Sequence, residues 1–207
     1  MLELLRDRDA VVVGIDGSPR SADALALGEL LAGLLSCERR LVPSYPGRPS
    51  WAEGARAFVT VDPGAARRAG CAVAVAPPGY ARRRDPVRFV GCGFDTSPAS
   101  YAAWHEALAV ASAASAEVHV YAVREQHAFA LTAGLDWELG EFLHGELRAL
   151  VASAPPGLCV EPVLASGRAA SVLRDAARTL DLLVLGAGAV ADSLLREPQC
   201  PVLVVSG

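Results

Sequence analysis

The chain contains no lysine, so all 19 of its basic residues are arginine. Its 23 acidic residues give a net charge of −4, whereas a general nucleic-acid-binding domain usually has a basic excess or a basic stripe. The arginine run at 82–84 is the one local exception, and we interpret it as a solvated linker. The composition therefore predicts no nucleic-acid partner.

Long apolar runs are also lacking. The longest stretch without a charged side chain is the thirteen residues 69–81, which include Pro77 and Pro78, whereas a membrane-spanning helix needs about 20 apolar residues. The segment 1–9 alternates charges and lacks the basic and apolar regions of a signal peptide. We therefore expect a cytoplasmic protein that does not contact a membrane.

Cysteine is scarce, and its five positions are odd in number and contain no C-x-x-C spacing, which disfavours disulfide frameworks and zinc sites. The four histidines lie on different predicted elements and have no partner at a repeating metal-ligand spacing, so we predict surface or half-buried histidines and no metal site. Cys71 and Cys200 occupy matching positions before a last strand. We interpret both as small buried hydrophobic residues, with paired thiol chemistry as the alternative.

Apolar residues make up 52% of the 207 residues and aromatic residues only 6%, which predicts a core of Ala, Val and Leu. A chain of this length forms one large domain or two small ones. Two units are favoured, because residues 13–21 recur as 92–100 with Gly, Asp, Ser, Pro and Ser in matching positions at a constant offset of 79. A second match joins 70–76 to 199–205.

These matches predict a first domain at 1–80, a linker at 81–87 and a second domain at 88–207. In the second domain five apolar strand patterns alternate with helix patterns, which predicts a parallel sheet covered on both faces. The first domain begins in the same way and is then shorter, with predicted strands at 10–15, 40–44, 57–61 and 72–76. The predicted fold class is α/β, with two open, mainly parallel, doubly wound sheets.

An aspartate ends the first strand of each unit, at Asp16 and Asp95, and a helix predicted to be capped by Ser18 or Ser97 follows. Ligands of doubly wound sheets bind at this end of the strands, near helix N-termini. Alternatively, each aspartate only stabilises its turn and helix cap.

The G-x-D-x-S-P-x-S opening of both units, the strand end at 182–188 and the closing segment 200–205 resemble the universal stress protein family. The resemblance implies a tandem arrangement with a truncated first repeat and a strand order of 3-2-1-4-5 in the second. It also implies that the last strands of the two units, 72–76 and 202–205, pair within the chain. Further pairing of whole chains into a homodimer is a further expectation.

Many members of that family bind ATP or AMP near the first-strand Asp and through a loop of the pattern G-x2-G-x9-G-[ST]. Started at Gly186, this pattern needs glycine at 189 and 199 and Ser or Thr at 200, where the chain has Ala189, Gln199 and Cys200. We therefore predict that the phosphate loop is lost. The residues that could still line a degenerate pocket are Asp95, Thr96, Val123, Gly186 and Gly188, with Asp16 and Gly17 as their equivalents in the first unit.

The leading hypothesis is a non-enzymatic stress-response or regulatory interaction module with no cofactor and with a protein partner that the sequence does not identify. The alternative is an ATP- or AMP-binding stress sensor that uses the degenerate pocket at the carboxyl ends of strands one and four. An enzyme of the wider nucleotide-transferring superfamily is a third hypothesis, although the H-x-G-H and S-G-G-x-D-S signatures are absent. A weak ATPase activity is a further alternative to the non-enzymatic hypothesis.

Overall fold

A computed structural model describes residues 10–43, 55–62, 71–83, 85–125 and 133–206. The strands are β1 (Ala10–Ile15), β2 (Glu38–Pro43), β3 (Ala57–Thr60), β4 (Ala72–Val75), β5 (Phe89–Phe94), β6 (Glu117–Arg124), β7 (Val160–Ser166), β8 (Leu182–Gly186) and β9 (Val202–Val205). The helices are α1 (Ser21–Leu34), α2 (Pro98–Ala114), α3 (Ala133–Ser153), α4 (Ala169–Ala176) and α5 (Ala189–Arg196). A short 3₁₀-helix, Tyr80–Arg82, lies between β4 and β5.

All of these strands join one sheet in the order β2-β1-β3-β4-β9-β8-β5-β6-β7. The prediction of two sheets is therefore wrong, because β4 and β9 pair antiparallel, with Val73 opposite Val204, and make the sheet continuous. The predicted pairing of these two segments is confirmed. All other neighbouring strands are parallel, and β7-β6-β5-β8-β9 is the predicted 3-2-1-4-5 order.

The β–α–β segment at the start of each half recurs in three dimensions at the offset of 79 seen in the sequence. Ala10 pairs with Glu38 as Phe89 pairs with Glu117. The helices of both segments are followed by a left-handed serine, Ser36 at φ 53° and Ser115 at φ 54°. The short sequence match at 13–21 thus reflects a much longer equivalence of backbone.

The two halves begin their first helices differently. Ser97 is the N-cap of α2, and its hydroxyl accepts the Ser100 N–H at 3.2 Å, as predicted. The matching prediction for Ser18 is wrong, because α1 begins at Ser21 after Arg20, which makes no side-chain cap. The Ser21 hydroxyl instead donates to the Asp16 carboxylate at 2.8 Å.

The helices cover both faces of the sheet, as expected for strands that are buried on both sides. Helices α1, α2 and α3 pack on one face, where Trp104 of α2 is 1% exposed. Helices α4 and α5 pack on the other. In the part of the chain that the structure describes, no helix combines the length and apolar character needed to cross a bilayer.

The connection between the halves is anchored to α1 by a buried carboxylate. Asp23 is 6% exposed, and it accepts the backbone N–H groups of Gly79 at 2.9 Å and Ala81 at 2.8 Å. This contact fixes the start of the 3₁₀-helix against α1. The arginines Arg82 and Arg83 that follow are exposed, as predicted for a solvated linker.

Candidate functional site

A cavity of about 300 Å³ opens at the carboxyl ends of β5 and β8. These neighbouring strands form the topological switch point of the second half, because the chain continues from β5 to β6 and β7 on one side and from β8 to β9 on the other. Doubly wound sheets bind ligands at this place. The volume is at the lower end of the range for small-molecule sites, about 300–1,000 Å³. Its walls come from β5, β6, β8 and the first turns of α4 and α5, with the lining residues Gly93, Phe94, Asp95, Ser97, Ser100, Tyr121, Val123, Ala169, Leu173, Leu185, Gly186, Ala187, Gly188, Ala189, Val190 and Ala191.

Four of the five residues predicted for the second unit line this cavity, namely Asp95, Val123, Gly186 and Gly188. Thr96, the fifth, is not among the lining residues. It lies beside Asp95 with a left-handed φ of 66°. A β-branched residue seldom adopts this conformation, so the turn at the cavity rim is strained.

Asp95 supplies the acidic group of the cavity. Its carboxylate accepts the Ser97 N–H at 3.0 Å. Partial burial opposes ionisation, but hydrogen bonds from Ser97 and Ser100 outweigh that effect and lower the pKa of the Asp95 carboxyl. Asp95 is therefore ionised at neutral pH and can accept hydrogen bonds from a ligand.

The opposite wall is formed by the connection from β8 to α5, which consists of Ala187 and Gly188 alone. No side chain caps the N-terminus of α5. The first N–H groups of a helix lack partners within the helix, and here Ala189, Val190 and Ala191 line the cavity. This end of α5 is therefore the place at which the cavity can hydrogen-bond an acceptor group.

The charges of the cavity do not suit a polyphosphate. Among the described residues that line it, none is Arg, Lys or His, and Asp95 is the one charged side chain. Asp192 adds a carboxylate in the first turn of α5, which opposes anion binding at that helix end. Uncharged hydroxyl and amide groups fit this lining better than a chain of phosphates.

Gly186 is needed for the close approach of β8 to α2. A Cβ at this position would lie 2.7 Å from the carbonyl carbon of Ala99 and 2.8 Å from the backbone nitrogen of Ser100. Gly188 has no such neighbour, and its φ of 167° is extended. The two glycines at the cavity thus have different roles. Gly186 is required by the packing of β8 against α2, whereas Gly188 has open space around the position of a Cβ.

The equivalent aspartate of the first half, Asp16, accepts hydrogen bonds from residues at the start of α1 and just before it. Asp16 accepts the Ser18 N–H at 2.9 Å and the Ser21 hydroxyl at 2.8 Å. Hydrogen bonds from Ser18 and Ser21 lower the pKa of Asp16 to about 2. Gly17 lies beside it with a φ of 76°, matching Thr96. This geometry is that of a turn-stabilising aspartate, the alternative interpretation of the repeat.

Two groups of contacts could not be recognised from the sequence, one at the cavity and the other elsewhere on the sheet. Tyr121 and Leu173 line it from β6 and α4, but both belong to apolar patterns that indicate only core. His119 was predicted to lack a metal-spaced partner, yet it lies between Glu117 and Glu161, because the β6–β7 register brings together segments that are distant in sequence.

Cys71 and Cys200 do not form a pair. The antiparallel register of β4 and β9 places Cys71 at one end of the strand pair and Cys200 at the other. Burial raises the pKa of Cys71 to about 11 and that of Cys200 to about 12. Both thiols are therefore protonated at neutral pH, which agrees with the interpretation as hydrophobic residues and not with paired thiol chemistry.

Several proteins of known structure share this fold, and one family model matches the sequence. The sequence model of the Universal stress protein family matches residues 87–206. A universal stress protein from Archaeoglobus fulgidus is 14% identical, with a TM-score of 0.63 over 96% of this chain and 98% of that one. A putative universal stress protein from Pseudomonas aeruginosa is 14% identical, with a TM-score of 0.62 over 95% of this chain and 82% of that one.

A member of the same family from Burkholderia pseudomallei is 25% identical, with a TM-score of 0.50 over 58% of this chain and 97% of that one. Comparison with curated proteins gives no match. At these identities the similar structures indicate a shared fold.

Proposed function

The chain belongs to the universal stress protein family, and we propose that within this family it is a non-enzymatic regulatory module that acts through a protein partner in the cytoplasm and does not bind ATP. The observation that carries this proposal is the two-residue connection between β8 and α5. A phosphate cradle requires successive backbone N–H groups presented by a longer glycine-rich loop. Here α5 begins where such a loop would run, and only five residues separate the end of α5 from the start of β9.

The electrostatics of the cavity support the same conclusion. A triphosphate in the cavity would meet no basic side chain among the described lining residues, and the Asp95 carboxylate would add a charge of the same sign. Burying several negative charges without a cation is strongly unfavourable. The proposal therefore assigns regulation to protein contacts and not to ATP occupancy.

The first half contributes a second, shortened copy of the family fold in this proposal. Its β1–α1–β2 segment matches β5–α2–β6 at a constant offset. Its last strand pairs with β9, so the two copies form one continuous sheet within the chain. Such a chain is a self-contained pair of repeats, and association of whole chains would need another surface.

The test is calorimetric titration of the purified protein with ATP and with AMP, together with the 260/280 nm absorbance ratio of the protein as isolated. We expect no saturable heat with ATP and no co-purified nucleotide. Micromolar binding of ATP would overturn the proposal.

A second candidate function is supported by the cavity itself. Its volume of about 300 Å³ and the Asp95 carboxylate opposite the α5 N-terminus suit the nucleoside part of AMP. Asp95→Asn should then weaken AMP binding, whereas Asp16→Asn, the matched change in the first half, should not. Saturable AMP binding that is lost in the first variant alone would favour a sensor.

A further inference from the structure

Three side chains with metal-binding atoms meet on one face of the sheet, and none of them lines the cavity. Glu117 and His119 are two residues apart on β6 and so project from the same face. Glu161 of β7 is the register partner of His119. The Nε2 atom of His119 lies 3.1 Å from Oε1 of Glu117 and 3.6 Å from Oε2 of Glu161.

The 3.6 Å between His119 and Glu161 is the separation of neighbouring ligands around one tetrahedral ion, and the 3.1 Å between His119 and Glu117 is slightly shorter. Zn²⁺ binds imidazole nitrogen and carboxylate oxygen at about 2.0–2.2 Å, which places neighbouring ligand atoms about 3.3–3.6 Å apart. The three ligand atoms all lie within 4.8 Å of one another. Little movement of the side chains is therefore needed to bind a shared cation.

Hydrogen bonding alone does not explain the arrangement fully. A neutral imidazole that carries its proton on Nε2 has one N–H there, which can be donated well to only one carboxylate. The 3.6 Å contact with Glu161 is too long for a hydrogen bond. A divalent cation would contact all three groups and balance the two carboxylate charges.

The histidine is oriented before any ion binds. Its ring makes an edge contact with Phe89, with ring centroids 5.5 Å apart, and lies 6.4 Å from Tyr121. The side chain of His119 is 20% exposed, whereas that of Glu161 is 59% exposed. The cluster thus combines a held imidazole with a carboxylate that is open to solvent, which gives an ion an entry path.

We propose that Glu117, His119 and Glu161 form a binding site for a divalent transition-metal ion of the Zn²⁺ type, with the fourth position open to water. A ligand set of one nitrogen and two oxygens suits such ions, while Mg²⁺ prefers oxygen ligands alone. The ion would connect β6 to β7, the strand at the edge of the sheet. It would therefore stabilise that edge in addition to any role in regulation.

The test is titration of the metal-free full chain with Zn²⁺ by calorimetry in the presence of excess Mg²⁺. We expect one Zn²⁺ per chain. Loss of His119 or of the Glu161 charge should weaken Zn²⁺ binding by about 100-fold or more. Even residues that only hydrogen-bond to the metal ligands typically change metal affinity by about 10- to 100-fold when they are replaced. The variants are His119→Ala and Glu161→Gln, and the matched control is His105→Ala, an exposed histidine on α2.

A nearby thiol requires its own control, because burial and the neighbouring Glu117 carboxylate raise the pKa of Cys159. Replacement of Zn²⁺ by Co²⁺ should give a visible absorption band without a thiolate charge-transfer band, and Cys159→Ser should leave both the band and the stoichiometry unchanged. Hydrogen exchange of the β7 amides should slow when Zn²⁺ is added.

Three results would overturn the site: no saturable Zn²⁺ binding, binding that persists in both His119→Ala and Glu161→Gln, or binding that only Cys159→Ser removes. Circular dichroism identifies any variant that fails to fold. The exposed, isosteric Glu161→Gln change keeps the test decisive if His119→Ala does not fold.

Discussion

The close approach of β8 to α2 makes Gly186→Ala a sharp test of how the cavity is built. The new methyl carbon would lie 2.7 Å from the carbonyl carbon of Ala99, 2.8 Å from the nitrogen of Ser100 and 2.9 Å from the oxygen of Ala99. Carbon atoms in ordinary contact are about 3.5–4.0 Å apart, so the overlap is close to 1 Å. All three neighbours are backbone atoms, and no side-chain rotation can relieve the clash.

The first turn of α2 or the end of β8 must therefore move. Overpacking of this kind costs about 1–3 kcal/mol. For a protein of 150–250 residues each kcal/mol lowers Tm by about 2–4 °C, so Tm should fall by about 2–12 °C. The measurement is a thermal melt followed by circular dichroism, together with urea unfolding to obtain the free energy of unfolding.

Gly188→Ala is the matched control, because it adds the same methyl group two residues later. No heavy atom lies within 4 Å of a Cβ at this position, and the extended φ of 167° suits alanine. Its Tm should stay close to that of the unchanged protein. Equal melting of both variants, or a gain for Gly186→Ala, would refute the close approach described for β8 and α2.

Three further predictions concern the turns and the linker. Thr96→Gly should raise the free energy of unfolding by about 0.5–1 kcal/mol, because it removes a left-handed penalty of about 1–2 kcal/mol and adds a glycine entropy cost of only about 0.5–1 kcal/mol. Urea unfolding measures this change, and a loss of stability would contradict the strain at Thr96. Asp23→Ala should lower the free energy of unfolding by about 1.5–3 kcal/mol, because two linker N–H groups lose a charged acceptor; an unchanged urea midpoint would exclude this anchor. Ser21→Ala should raise the Asp16 pKa from about 2, measured by carboxyl-carbon NMR. Because that pKa is depressed on folding, its stabilising effect is present above the unfolded value near pH 4 and is lost as the pH falls towards 2, and it should shrink in the variant.

The strand order of the second half was predicted from the resemblance to the family, whereas the start of each half was predicted from the repeat. One match of nine residues at an offset of 79 indicated both first strands and both first helices, and buried parallel strands have a strong apolar signature. The paired last strands followed from the resemblance to the family. What the pattern did not indicate is that this single antiparallel pair makes one continuous sheet out of two predicted ones.

Contacts between segments that are distant in sequence could not be predicted, because no local sequence pattern indicates them. The Asp23 carboxylate accepts the backbone N–H of Gly79, 56 residues away, and nothing in its helix pattern distinguishes it from a solvent-exposed acid. His119 meets Glu161 only through the register of β6 and β7. A shift of one residue in that register would place the carboxylate on the opposite face, so the cluster exists only once the pairing is known.

The two aspartates show how similar motifs acquire different roles. In the first half the Ser21 hydroxyl donates to Asp16 at 2.8 Å, so the carboxylate is occupied and α1 starts late. In the second half the matching hydroxyl of Ser100 donates to the Ser97 carbonyl at 2.9 Å, and Ser97 takes over as helix cap. Asp95 accepts the Ser97 N–H at 3.0 Å, is also hydrogen-bonded by Ser100, and lines the cavity. Both aspartates are therefore held by the two serines of their own motif, and what distinguishes Asp95 is its position in the wall of the cavity at the carboxyl ends of β5 and β8. A ligand can meet the aspartate of the second half because the sheet opens a cavity beside it.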